Sequence, residues 1–179
     1  QDTYIRNEFE TLQAYVASPS NSTITQGYPS VIDIPSFVDF MILNELSSNA
    51  DGYEFSTFFH KDRNGKLRAG PIWDFNLTFG NDLFQWGYDR SHTDIWQFDD
   101  QGNMGPKFWK DLFDDPVFNC YLTKRWQELT APGMPLNSTE IFSLIDATQT
   151  LISEAAARQE IVSGTTGDFN ENIIEMKEF

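Results

Sequence analysis

The feature that most constrains the fold is a β-hairpin predicted within residues 55–73. The aromatic run Phe55 to Phe59 has the composition of a strand, and Leu67 to Trp73 can form the returning strand. Between them, Asp62-Arg63-Asn64-Gly65 is typical of a turn, because Asn-Gly readily supplies a positive φ. Gly70-Pro71 is expected to bend or bulge the second strand.

Helices are predicted for most of the remaining chain. Apolar residues recur at helical spacing in several segments, which clusters of Ser, Pro, Asn and Gly separate. The predicted helices cover residues 4–16, 36–47, 107–113, 116–130, 138–162 and 168–179. Residues 76–104 have no clear period, and a stretch of that length is usually a functional loop. The predicted fold class is α+β, dominated by helices, in a single domain over residues 1–179.

The charge balance excludes two classes of partner. The chain has 12 Lys and Arg against 27 Asp and Glu, which gives a formal net charge of −15. Such a surface repels phosphate backbones and anionic lipid, so neither nucleic acid nor a membrane surface is expected as a partner, whereas cations are attracted. No apolar run approaches the roughly 20 residues that span a bilayer. Apolar residues make up 40% of the chain, which is enough for a sizeable core and excludes disorder.

Two carboxylates flank the predicted hairpin. Asp51 precedes the centre of the turn by about twelve residues and Asp74 follows it by about ten, and paired strands lie roughly 4.8 Å apart. Both acids are therefore expected near the open end of the hairpin. Two acids held close together repel each other unless a cation lies between them. The spacing thus predicts a divalent-metal site or an acid–base pair, and the plain alternative is that both residues only cap turns.

Several segments around these acids share the pattern of a known family. They are Asn49-Ala50-Asp51, the run from Ser56 to Asp62, Asn64-Gly65-Lys66, the run from Ile72 to Gly80, and the downstream segments 108–112 and 121–129. Together they resemble the core of the CotH (spore coat protein H) kinase family, most strongly over residues 35–161. The string Trp-Asp-x-x-x-x-Phe-Gly after a hairpin is the most specific part of the match.

The resemblance implies a fold, an activity and a site. The family has an atypical protein-kinase-like fold and transfers the γ-phosphoryl group of ATP to Ser or Thr of a protein, so the expected architecture is the C-terminal lobe of such a kinase. Asp51 matches the catalytic aspartate that orients the substrate hydroxyl and accepts its proton. Asp74 matches the metal-binding aspartate, which implies Mg²⁺ (or Mn²⁺) and ATP as cofactors.

Two positions depart from the family pattern. Ser56 stands where the family has a metal-binding Asn, and Asn76 stands where it usually has a second Asp. Both side chains still offer oxygen, so Ser56 and Asn76 join Asp74 as predicted metal and nucleotide ligands, with one formal charge fewer. This loss makes a catalytically degenerate, exported binding or surface-assembly module the alternative function.

A kinase also needs an N-terminal lobe with a Gly-rich loop and a Lys that binds the phosphates. The six lysines all follow Asp51 in the sequence, and no Gly-rich loop precedes that residue. The chain is therefore expected to be a fragment, the C-terminal lobe alone, which binds ATP poorly or not at all. The parent protein is expected to be exported or located at the cell surface.

A third interpretation is a sugar-binding or glycoside-cleaving surface, where aromatic rings stack on sugars and two carboxylates act as acid and base. The tryptophans that would suit it are Trp73, Trp86, Trp96 and Trp109. Against this interpretation, Trp73, Trp109 and Trp126 occupy positions better explained as core.

Overall fold

A computed structural model describes residues 2–18, 21–81, 90, 92–100, 102–163 and 169–179. The helices are α1 (Asp2–Val16), α2 (Ile34–Leu46), α3 (Phe108–Asp114), α4 (Pro116–Thr130), α5 (Ser138–Ser163) and α6 (Phe169–Glu178). Short 3-10 helices cover Tyr28–Ser30 and Gln97–Asp99, and an antiparallel pair of strands consists of β1 (Phe59–His60) and β2 (Arg68–Ala69). The predicted α+β class with dominant helices is therefore confirmed.

The start of α2 follows from its sequence. Asp33 accepts a hydrogen bond from the Ser36 main-chain nitrogen through Oδ1, at 3.1 Å, and Pro35 lies in the first turn, where no N–H is needed. Apolar side chains then surround most of the helix, and the buried ones are Phe37, Val38, Phe40, Met41 and Ile42. A helix that is apolar on most of its circumference is buried on most sides, so α2 lies in the core.

The hairpin has the predicted centre but shorter strands than predicted. Phe59 pairs with Ala69 and His60 with Arg68, which puts the centre at Asn64, whose φ is 61°. Beyond β2, the Gly70 nitrogen still donates to the Phe58 oxygen at 2.8 Å. The φ of Gly70 is 109°, outside the range of a strand, so regular pairing ends there.

The chain divides into two compact units, residues 1–125 and 126–179. The centre of the first unit is Trp109, and five aromatic rings have their centroids within 6.0 Å of its own: Phe37, Phe40, Tyr53, Phe59 and Phe108. All the buried apolar side chains among the described residues belong to this unit. In the second unit, α5 and α6 are joined by Gln149 and Asn170, at 2.8 Å, and by Lys177 and Asp146.

None of the described helices combines the length and the apolar character that a membrane crossing requires.

Candidate functional site

The segments that flank the hairpin stay paired beyond its open end. The Ala50 nitrogen donates to the Leu77 oxygen at 3.1 Å, and the Phe79 nitrogen donates to the Ser47 oxygen at 2.7 Å. Asp51 directly follows Ala50, and Asp74 lies three residues before Leu77. Both acids therefore come from the open end of the same hairpin.

Three of the predicted ligands lie together at this end. Ser56 Oγ donates to Asp74 Oδ2 at 3.5 Å, and one terminal atom of the Asn76 amide lies 2.8 Å from Asp74 Oδ1 and 3.2 Å from the Asp74 main-chain oxygen. We assign that atom as nitrogen, since it faces only acceptors. Asp74 has a φ of 62°, in the left-handed region, which Asp and Asn adopt more readily than most other residues that have a side chain.

The Asp74 group fits a divalent cation by the type of its donors. A carboxylate, a hydroxyl and an amide oxygen are the hard ligands that Mg²⁺ takes. A half-turn of the Asn76 amide would put its oxygen 2.8 Å from Asp74 Oδ1. That is close to the separation of about 2.9 Å between adjacent oxygens in an octahedron around Mg²⁺. Within the described ranges no three His, Cys, Asp or Glu side chains form a metal-binding cluster. Among Ser56, Asp74 and Asn76, the carboxylate is that of Asp74.

Asp51 has different surroundings, because it is paired with an arginine. Arg90 Nη1 donates to Asp51 Oδ1 at 3.1 Å and approaches the Ala50 oxygen at 3.5 Å. The Arg90 residue is buried, whereas the Asp51 side chain is 23% exposed. The ion pair therefore orients the Asp51 carboxylate without closing it off from solvent.

Two buried asparagines shape the loop that carries Asp51. Asn44 Nδ2 donates to the Phe40 oxygen at 2.8 Å, and Asn49 Nδ2 donates to Asn44 Oδ1 at 2.9 Å. The Asp51 nitrogen in turn donates to Asn49 Oδ1 at 3.3 Å. A Cβ on Gly52 would lie 2.7 Å from Asn44 Oδ1, so the loop packs closely on these side chains. α2 thus determines the path of the chain at Asp51.

Glu45 is a second acid of α2 that contacts this region. It accepts hydrogen bonds from the Tyr53 hydroxyl at 2.6 Å and from the Gln97 nitrogen at 2.8 Å. Burial raises the pKa of Glu45 to about 7, although the hydrogen bonds from Tyr53 and from the Gln97 and Phe98 amides act in the opposite direction. Burial, together with the charge of Glu45, also raises the pKa of Tyr53 well above its ordinary value.

Arg90, Asn44 and Glu45 were not among the site residues predicted from the sequence. Arg90 lies in a segment without periodicity, where nothing in the sequence identifies its partner. Asn44 and Glu45 did leave a signal, because they are polar residues in a mostly apolar helix, and buried polar groups need partners.

The positions of the tryptophans correct one argument from the sequence. Trp109 is fully buried, as predicted, but Trp73 and Trp126 are 61% and 39% exposed, so the prediction that they lie in the core is wrong. β2 ends at Ala69, and Trp73 therefore does not belong to a strand that packs on the core. Trp96 is exposed as well, and Trp86 lies outside the described residues.

Comparison with known proteins gives one match. Neither the curated proteins nor the solved structures contain a significant match to this chain. Among protein families, the CotH kinase protein family matches residues 1–179, which is the whole chain. The chain therefore belongs to the CotH kinase family.

Proposed function

We propose that this chain is the C-terminal lobe of a kinase that transfers the γ-phosphoryl group of ATP to Ser or Thr of a protein substrate. One observation carries the proposal: Ser56, Asp74 and Asn76 converge at the open end of a hairpin whose other flank carries Asp51. Family membership supports a kinase-like protein with ATP and a divalent metal in general, and this geometry supports the particular residues.

Each residue has a distinct role in the proposed reaction. Asp51, oriented by Arg90, accepts the proton of the substrate hydroxyl and directs that oxygen towards the phosphoryl group. Asp74, with Ser56 and Asn76, would bind Mg²⁺ or Mn²⁺. Bound ATP would supply the phosphoryl group, and the bound metal would neutralise the negative charge that spreads over its oxygens during transfer.

Phosphate-binding groups complete the proposed site. The six lysines follow Asp51 in the sequence, so we propose that the Gly-rich loop and the Lys of the ATP-binding lobe come from outside these residues. The single-domain organisation of this lobe and an exported or cell-surface location stay predictions.

A catalytically degenerate binding or surface-assembly module is the second candidate. The observation that favours it is the Asn76 amide, whose nitrogen donates to Asp74 where the family pattern has a second carboxylate. This arrangement satisfies Asp74 without a cation. The two candidates therefore differ in whether Asp74 binds a metal.

The natural full-length protein, incubated with labelled ATP and Mg²⁺ or Mn²⁺, distinguishes these functions. Label transfer to protein is expected to fall at least about 100-fold in Asp51→Asn and in Asp74→Asn, because each change removes a reacting or metal-binding carboxylate. Asn tolerates the left-handed backbone of position 74. Asp62→Asn, which removes an exposed acid at the far end of the hairpin, is the matched control and should retain the activity.

The kinase and the binding module predict different results in this experiment. Absence of both label transfer and nucleotide binding in the wild-type protein would favour the binding module. Transfer that persists in Asp74→Asn would place the phosphoryl-transfer site elsewhere in the protein.

A further inference from the structure

We propose that Glu45 is a positioning residue for Asp51. Its carboxylate, on α2, accepts one hydrogen bond from the loop of Asp51 and one from the segment that follows Arg90, and so holds both in place. The kinetic part of this inference rests on the proposed function. Its structural part concerns how the Asp51–Arg90 ion pair is assembled, and it can be tested independently.

One oxygen of Glu45 fastens the loop of Asp51. The Tyr53 hydroxyl donates to Glu45 Oε1 at 2.6 Å, and Tyr53 lies two residues after Asp51. Its side chain is 1% exposed, and its ring packs against Trp109 with centroids 5.1 Å apart. Tyr53 has a φ of 70°, a left-handed conformation that its burial must impose, since a bulky residue rarely adopts it otherwise. The position of Tyr53 therefore determines the backbone next to Asp51.

The other oxygen of Glu45 accepts a hydrogen bond from the segment 92–100. The Gln97 nitrogen donates to Glu45 Oε2 at 2.8 Å. The same segment is bound to the end of α2 a second time, because Ser48 Oγ donates to the His92 oxygen at 3.0 Å. His92 comes two residues after Arg90. One carboxylate thus links the two stretches of chain that bring Asp51 and Arg90 together.

Loss of this carboxylate affects both partners of the ion pair. Without Glu45, the Tyr53 hydroxyl and the Gln97 amide lose their acceptor, and a polar group left unsatisfied in the interior shifts or admits water. A misplacement of about 1 Å in a reacting group can lower a rate by about 100-fold. Because Asp51 acts on the substrate hydroxyl and not on ATP binding, the loss is expected in kcat and not in the KM for ATP.

The kinetic test compares four variants of the natural full-length protein. Glu45→Ala should lower kcat by about tenfold or more with an unchanged KM for ATP, and Tyr53→Phe should lower it by about threefold to tenfold. Glu45→Gln should retain most of the activity, because its amide can accept from Gln97 and donate to Tyr53. Asp39→Ala is the matched control, since Asp39 also lies on α2 but pairs with Arg125 at 2.8 Å, and it should keep the wild-type kcat.

A structural readout distinguishes failure of this inference from failure of the proposed function. Hydrogen exchange should accelerate at Gly52, Phe55 and Gln97 together in Glu45→Ala, and should stay near the wild-type rate in Glu45→Gln and Asp39→Ala. If the wild-type protein transfers no phosphate, the proposed function fails, and exchange alone decides whether Glu45 fastens both segments. Where Glu45→Ala does not fold, Tyr53→Phe is judged in the same way at Gly52 and Phe55.

Two results would overturn the inference. The first is a kcat of Glu45→Ala and of Tyr53→Phe equal to that of Asp39→Ala. The second is faster exchange of one segment alone, which would show that the two segments are fastened separately.

Discussion

Glu45 couples the stability of the fold to pH. Burial raises its pKa to about 7, whereas the ordinary value is 4.5, so between these pH values the folded protein binds a proton that the unfolded chain has lost. A group of this kind stabilises the fold fully below its unfolded pKa, and the contribution is lost as the pH rises through the folded pKa. The deprotonated carboxylate is tolerated at higher pH because Tyr53 and Gln97 donate to it.

Glu45→Gln should remove this pH dependence. Relative to wild type, the free energy of unfolding of the variant should increase by about 2 to 3 kcal/mol between pH 5 and pH 8, because only the wild-type protein loses stability as Glu45 ionises. Urea unfolding of both proteins at intervals across this range measures the difference. A difference that stays constant with pH would contradict the assignment of a raised pKa to Glu45.

At the scale of residues, the sequence predicts the positions of the two candidate site acids better than the side chains that contact them. Asp51 and Asp74 could be placed at one end of a hairpin because strand pairing relates their positions along the chain. Arg90 could not be assigned to Asp51, since their contact depends on the path of a segment without periodicity. Glu45 is a similar case, because both of its partners are fixed by tertiary packing and not by spacing along α2.

At the scale of elements, Asp33 joins the start of α2 to the hairpin. Its Oδ1 caps the helix at the Ser36 nitrogen, and its Oδ2 pairs with Arg68 of β2, each at 3.1 Å. The Asp33 nitrogen also donates to the Leu67 oxygen at 2.8 Å. The side chain therefore has a capping role and a charge-pairing role, which different substitutions separate.

Asp33→Ala should lower the free energy of unfolding by about 1 kcal/mol, because the first turn of α2 loses its cap. Asp33→Asn should lower the free energy of unfolding by only about 0.3 kcal/mol, since Asn caps a helix as well as Asp does and an exposed ion pair contributes little. Thermal or urea unfolding of the two variants gives the order. Equal losses in both would show that the ion pair with Arg68, and not the cap, stabilises this junction.

The bounds of the helices were predicted well where a particular residue type marks the start or the end of a helix. The predicted bounds of the helices from α3 to α5 lie within about one residue of the observed ones, because Pro116, Ser138 and the flanking loops mark them chemically. The strands were predicted too long, since aromatic composition shows where a strand can form and not where pairing stops. Gly70-Pro71, which was expected to bend or bulge this strand, lies where the pairing stops.

At the scale of the whole molecule, the excess of acids is the dominant property. Ion pairs such as Lys61 with Glu8 and Arg125 with Asp39 neutralise some of them, but 12 basic residues cannot balance 27 acidic ones. The remaining negative charges repel each other in the compact state, and dissolved ions screen this repulsion. We therefore expect any dissolved salt to stabilise the protein by screening, so binding of a metal ion is detectable only as a rise in stability beyond that of screening.

Comparison of Na⁺ with Mg²⁺ at equal ionic strength separates the two effects. NaCl should raise the Tm of the wild-type natural protein by screening, and MgCl₂ should raise it by about 3 °C more if Mg²⁺ binds the Asp74 group at about ten times its Kd. Asp74→Asn should keep the rise with NaCl and lose the additional rise with MgCl₂. Asp62→Asn, which removes the same charge at the hairpin turn, should keep both. If the additional rise in Tm with MgCl₂ were equal in all three proteins, Asp74 would bind no metal, and divalent cations would act on this molecule through screening alone.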